Sequence, residues 1–206
     1  MSGTSQPNNT PSDFVVHEPD LKRATDIVME MMAISGKTGN EAGVVAYITQ
    51  KLLDAGAPAD AIQTDKAHTR TAIPSNTGNL ILKLPGTTRA PRRLLSAHID
   101  TVPICVGSKP VKKGRTVHSA DPTTGLGADD RAGAAVILCA ALEILENNLS
   151  HPPLTFCWFI QEEVGMQGSR FVSKTALGNP KLAFNWDGGS PNDLSIGATG
   201  AYRTHI

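Results

Sequence analysis

Four short stretches of the 206-residue sequence put ionisable side chains where a core element ends. Leu154 to Ile160 is an apolar run that reads as a buried strand, and it stops at Gln161-Glu162-Glu163-Val164-Gly165. Two adjacent carboxylates at the end of a core strand need compensation, because buried unpaired charge is expensive. His98 and Asp100 close the run that starts at Leu94 in the same way. Asp129 and Asp130 stand in a glycine-rich turn that opens a helix, and Asp187 ends the run Leu182-Ala183-Phe184-Asn185-Trp186. Taken alone, each has an ordinary explanation: an exposed histidine, a solvated turn, a helix cap favoured by the dipole. Taken together they are one imidazole and several carboxylates. Such groups repel one another unless a cation joins them. The donor set suits zinc, or manganese or cobalt in its place. Asp100 lies two residues from His98, so on a strand both face the same side and the carboxylate can hold the ring's second N–H.

For these groups to meet, the strands that carry them must be parallel neighbours, because ligands of open α/β sheets gather at the carboxyl ends of the strands. The sequence supplies such strands. Residues 79–86 and 92–100 read as short strands bounded by Pro and Gly, followed by 154–160 and 181–189. Between them, 104–128 reads as a long loop with a short hairpin, Ala132 to Leu149 as a long apolar helix, and 166–177 as another helix. Upstream, Leu21, Ala24, Ile27, Val28 and Met31 recur at helical spacing. A second helix is expected over roughly 41–55, with Val44, Val45, Ile48 and Leu52 inward and Gly56 as its stop. A further strand is expected to begin in 192–202. Strands alternating with helices imply an α/β fold with a mostly parallel, mixed sheet flanked by helices. Residues 1–16, rich in Ser, Thr, Asn and Pro, read as a disordered tail, and 17–197 as the folded domain.

Composition narrows the function. Lys+Arg and Asp+Glu number 19 each, so no basic excess points to nucleic acid or an anionic membrane. Aromatic residues are only 4%, which disfavours base-stacking surfaces. Three cysteines, Cys105, Cys139 and Cys157, with no CxxC, argue against a disulfide framework and for a reducing, cytoplasmic setting. No secretory leader or membrane span is legible. Gly36-Lys37-Thr38 invites a phosphate-loop reading, but that motif needs a glycine where Met31 stands. His17, His68, His118 and His151 fall in polar segments and read as structural or exposed.

"SAHIDTVP", "GLGADDRAGAAVIL", "FIQEEVGMQGSR" and "NWDGG" resemble the M20 metallopeptidases, and within them the peptidase T-like (tripeptide aminopeptidase) branch. The likeness runs from about Asn79 to Tyr202. It implies a catalytic α/β domain that removes the N-terminal residue of short peptides with two zinc ions. By the same resemblance His98 is a ligand of one zinc, oriented by Asp100; Asp129 bridges both ions; Asp187 completes the first site. Glu163 is a ligand of the second zinc and Glu162 the general base. The glutamates would then be adjacent because one holds a metal while the other faces the water. The family draws a last histidine ligand from a C-terminal segment, beyond an inserted lid and dimerisation domain through which homodimers can form. Residues 198–206 match the place where that insertion would begin, and His205 does not match the missing ligand. Two other readings stand beside this one. The first is an M42-like glutamyl aminopeptidase, disfavoured because only 28 residues lie between Asp100 and Asp129, too few for that group's inserted domain. The second is an inactive metal-binding remnant.

Overall fold

Helix α1 (Leu21–Ala33) begins at Asp20, whose carboxylate caps it by accepting the Arg23 N–H. Ile27 and Met31 turn inward as their spacing predicts, whereas Leu21, at the first turn, is 72% exposed. Helix α2 (Ala42–Asp54) buries Val44, Val45, Ile48 and Leu52 and stops at Gly56, whose φ of +88° suits glycine. This computed structural model describes residues 17–190 and 192–197. The expected N-terminal tail and the expected start of the lid lie outside the described residues.

The remaining elements are β1 (Ile62–Thr64), β2 (Leu80–Leu84), β3 (Arg93–His98), β4 (Pro110–Lys113), β5 (Thr116–Ser119), α3 (Ala128–Glu146), β6 (Leu154–Phe159), α4 (Gln167–Phe171) and β7 (Leu182–Asn185). Five strands form one mixed sheet in the order β1-β2-β6-β3-β7. Strand β3 lies between β6 and β7, parallel to both, while β2 is antiparallel to β6 and β1 to β2. The β4–β5 hairpin is the one expected in the long loop. The short β1 carries no apolar alternation to announce it. The helix expected over 166–177 is confined to Gln167–Phe171, because Val172 turns extended. Residues 192–197 contain no strand.

Helices α1, α2 and α3 cover one face of the sheet. Strand residues at alternate positions, Leu80, Leu82, Ala97, Phe156 and Trp158, meet Ile48, Leu52, Ile137 and Leu138 there. Trp158 is fully buried, and its indole N–H donates to the Ala134 carbonyl at 3.1 Å, tying β6 to α3. A smaller cluster of Ile81, Leu94, Cys157 and Leu177 occupies the opposite face. Leu138→Ala should cost about 2–5 kcal/mol, as deletions in packed cores do. A denaturant midpoint unchanged from the parent would show that this position is not core. Among the described residues no helix is long and apolar enough to cross a membrane.

Candidate metal centre

The parallel ladder decides where the acids go. In register, His98 of β3 lies opposite Phe159 of β6. The pairing continues past both strand ends, since the Ile99 N–H donates to the Phe159 carbonyl (2.9 Å) and the Trp186 N–H to the Ser96 carbonyl (2.9 Å). The chain exits at Asp100, Glu162 and Asp187 therefore leave the sheet side by side. Helix α3 enters from the same edge. Its first residues are not helical: Asp129 has φ −81° and ψ 113°, and the Asp129–Asp130 peptide bond is cis.

His98 is 3% exposed and its ring is pinned on both sides. Nδ1 lies 3.1 Å from the Asp100 backbone carbonyl and 3.4 Å from the Asp100 carboxylate. Nε2 faces Asp129 at 3.1 Å and Glu162 at 3.9 Å. Ligand atoms of His98, Asp129 and Asp187 all lie within 4.8 Å of one another. Glu163 is not part of that cluster, although it is next in chain to Glu162. Asp100, fully buried, organises the pair: it accepts the N–H of Glu162 (2.8 Å), the N–H of Glu163 (3.3 Å) and the Thr38 hydroxyl (2.7 Å). Strand β3 stops at His98, so Asp100 acts from the turn beyond it.

Two buried groups unassigned by the sequence complete the frame. The Asp130 carboxylate accepts the backbone N–H of His98 (3.1 Å) and that of Gly133 (3.1 Å), locking β3 to α3. Arg131 reaches back under the site to the carbonyls of Met31 (2.8 Å) and Gly36 (3.3 Å). Gly133 leaves no room for a side chain, since a Cβ there would stand 2.4 Å from Asp130 Oδ1 and 2.6 Å from the Trp186 carbonyl. Gly133→Ala is thus expected to destabilise the fold by about 1–3 kcal/mol and to loosen His98. Chemical denaturation with a metal titration checks this; parental values in both would show that the contact relaxes freely.

The charges are mismatched as they stand. Burial opposes ionisation of His98, but Asp100, with Asp130 and Asp187 beyond it, outweighs this and lifts the ring to about 9. Burial raises Glu162, Glu163 and Asp187, and neighbouring carboxylates push each further. Burial also drives Asp130 up to about 7. Asp100 goes the other way: burial would raise it, but His98, Thr38 and the Glu162 N–H hold it below its usual range. The carboxylates of Asp129 and Asp187 offer oxygens within 4.8 Å of one another, and like charges so close repel. A cation bound between His98, Asp129 and Asp187 would turn that repulsion into attraction, and one imidazole with two carboxylates is a fitting donor set.

All six residues singled out by sequence, His98, Asp100, Asp129, Glu162, Glu163 and Asp187, occupy this one sheet edge, with the three-donor cluster at its centre. Sequence reasoning placed Asp130 among the converging acids but gave it no role, and it missed Thr38 and Arg131, which carried no signal.

An α/β sheet with a carboxylate-and-imidazole cluster at its carboxyl edge is an arrangement able to hold a metal ion. The family model for Peptidase family M28 matches residues 79–202, and the chain belongs to that family. The sequence resemblance names M20, whereas the family matched is M28. Among relatives, the uncharacterized protein YqjE of Bacillus subtilis is 30% identical over 156 residues, 76% of this chain and 40% of that protein. Peptidase T of Serratia proteamaculans is 38% identical over 81 residues, 39% of this chain and 19% of its own length. The crystal structure of aminopeptidase PepT from Bacillus cereus superposes with a TM-score of 0.74 at 29% identity, over 84% of this chain and 44% of that one. The chain thus spans less than half the length of these relatives.

Proposed function

We propose that the protein hydrolyses short peptides, releasing the N-terminal residue, as a metallo-aminopeptidase of the peptidase T-like type. The observation that carries this reading is the convergence of His98, Asp129 and Asp187 within 4.8 Å, with Glu162 beside them. The likeness to Peptidase T and to aminopeptidase PepT supports the substrate class.

His98, Asp129 and Asp187 would hold one ion, and Asp129 with Glu163 a second. Zinc, or cobalt or manganese in its place, would supply Lewis acidity for the peptide carbonyl and make water acidic enough to lose a proton near neutral pH. The chain's own residues do the rest. Asp100 keeps the His98 ring oriented with Nε2 toward the cluster. Glu162 accepts a proton from the attacking water and delivers one to the departing amine, so that water is consumed and a free amino acid and a shortened peptide result. The Asp100 carboxylate fixes the backbone of Glu162 and Glu163, leaving their side chains free to divide these roles.

The test pairs a short peptide with its N-acetylated form, with zinc content measured on the same sample. Stepwise release of N-terminal residues from the free peptide alone is expected. Release limited to N-terminal glutamate or aspartate would favour the glutamyl aminopeptidase reading. Bound zinc without turnover by the protein carrying the site would mark a metal-binding remnant.

A further inference from the structure

Glu41 is a fully buried carboxylate, far in sequence from every acid discussed so far. It sits where helix α2 begins, the place of an ordinary N-cap, yet its side chain makes no cap hydrogen bond. Instead Oε1 accepts the N–H of Gly39 (2.9 Å) and the N–H of Gln161 (3.2 Å), while Oε2 accepts the Ser75 hydroxyl (3.1 Å). Burial raises its pKa, so the position is costly to ionise and its hydrogen bonds must offset that cost.

Gln161 is the residue directly before the glutamate pair. Its φ is +54°, the left-handed region that a non-glycine residue enters only when its surroundings hold it there. Its side-chain amide donates to the Ile73 carbonyl at 2.9 Å. Three successive N–H groups at the exit of β6 are therefore held by two buried carboxylates: Gln161 by Glu41, and Glu162 and Glu163 by Asp100. The two clamps are themselves joined. The segment 36–41 pairs with the exit of β3, where the Thr38 N–H donates to the Thr101 carbonyl (3.2 Å) and the Thr101 N–H to the Gly36 carbonyl (3.1 Å). The Thr38 hydroxyl reaches Asp100 itself.

We infer that Glu41 is a positioning residue for Glu162 and Glu163: by gripping the Gln161 N–H in its left-handed turn, it sets the direction in which both glutamate side chains leave β6. The inference rests on the peptidase reading for its kinetic consequence, though not for its structural one.

Glu41→Met keeps the side chain's length and removes both acceptors. Glu41→Gln keeps an acceptor for the two N–H groups, and its amide N–H can donate to the Ser75 oxygen once the Ser75 proton turns from Oε2 to the Thr77 carbonyl, 3.0 Å away. Hydrogen exchange on the 206-residue chain gives a readout free of activity. In Glu41→Met the amides of Gln161, Glu162 and Glu163 should lose protection while the centres of β6 and α3 keep it; Glu41→Gln should resemble the parent. In an active protein, Glu41→Met should lower kcat about 10–100-fold, the range seen when groups supporting metal ligands are removed, with KM nearly unchanged. Glu41→Gln should restore the rate. If Glu41→Met fails to fold, Glu41→Asp replaces it, because the shortened carboxylate cannot reach Gln161, and the same pattern is expected. Exchange lost only at the start of α2, with 161–163 still protected, would overturn the inference and leave Glu41 a local helix-entry residue. So would an unchanged kcat in a folded Glu41→Met variant of an active protein. Released 161–163 amides without peptide turnover in the parent would instead count against the peptidase reading and leave the positioning role standing.

Discussion

Glu162→Gln is expected to lower peptide turnover by about 10²–10⁴-fold, the usual cost of losing a general base, while metal content stays at the parental level. The substitution is close to isosteric. It leaves the backbone N–H that Asp100 accepts at 2.8 Å, so the turn keeps its shape. It removes only the basicity of a carboxylate that lies 3.9 Å from the His98 ring and outside the three-donor cluster. Glu163→Gln makes the informative contrast. Its carboxylate is assigned to the second ion, so this variant should bind less metal and recover part of its rate as metal concentration rises. Turnover measured against added zinc, with metal analysis after dialysis, separates the two. If both variants kept parental metal content and rates, the division of roles between the glutamates would be wrong.

His98→Ala should abolish the stabilisation expected on adding zinc. An ion that binds only the folded state stabilises it by about 2.7 kcal/mol at a hundred times its Kd. In a domain of this size that is roughly a 5–10 °C rise in Tm. His98 is the one nitrogen donor in the cluster, and without it Asp129 and Asp187 are two exposed carboxylates, fewer than the three protein ligands usual for zinc. Differential scanning calorimetry with and without zinc, on parent and variant, isolates this effect, because each protein serves as its own reference. An equal zinc-induced shift in His98→Ala would place the metal elsewhere.

Much of the site was legible because its chemistry sits at strand exits. Glu162 and Glu163 follow the run Leu154–Ile160, whose apolar continuity marks a buried strand, and an acid there stands out; Asp187 follows a similar apolar run, although its strand β7 is exposed. The mixed sheet and the helices α1, α2 and α3 were legible for the related reason that their periodicity is strong. What escaped was whatever depends on contacts distant in sequence. Glu41 looks like any acid at a helix start, and its partner Gln161 is 120 residues away. Thr38 looked like part of a failed phosphate loop, yet that segment lies along the exit of β3. Asp130 reads as a helix cap, whereas it holds the His98 backbone. Strand β1, three residues long with a mostly exposed face, is fixed by its pairing with β2 rather than by its own composition. The helix expected over 166–177 overran because the apolar residues beyond Phe171, such as Leu177, pack on the sheet without continuing the helix.

The parallel pairing of β6, β3 and β7 also acts as a ruler. Neighbouring strands stand about 4.8 Å apart whatever their side chains are, so the backbone, rather than the core, spaces the exits that carry Glu162, His98 and Asp187. Exchanges among apolar residues beneath, at Phe156 or Leu138, can tune how firmly the domain holds together without changing that spacing. For those three exits stability and spacing are thereby largely uncoupled, whereas Asp129 and Asp130, carried by α3, stay tied to how that helix packs.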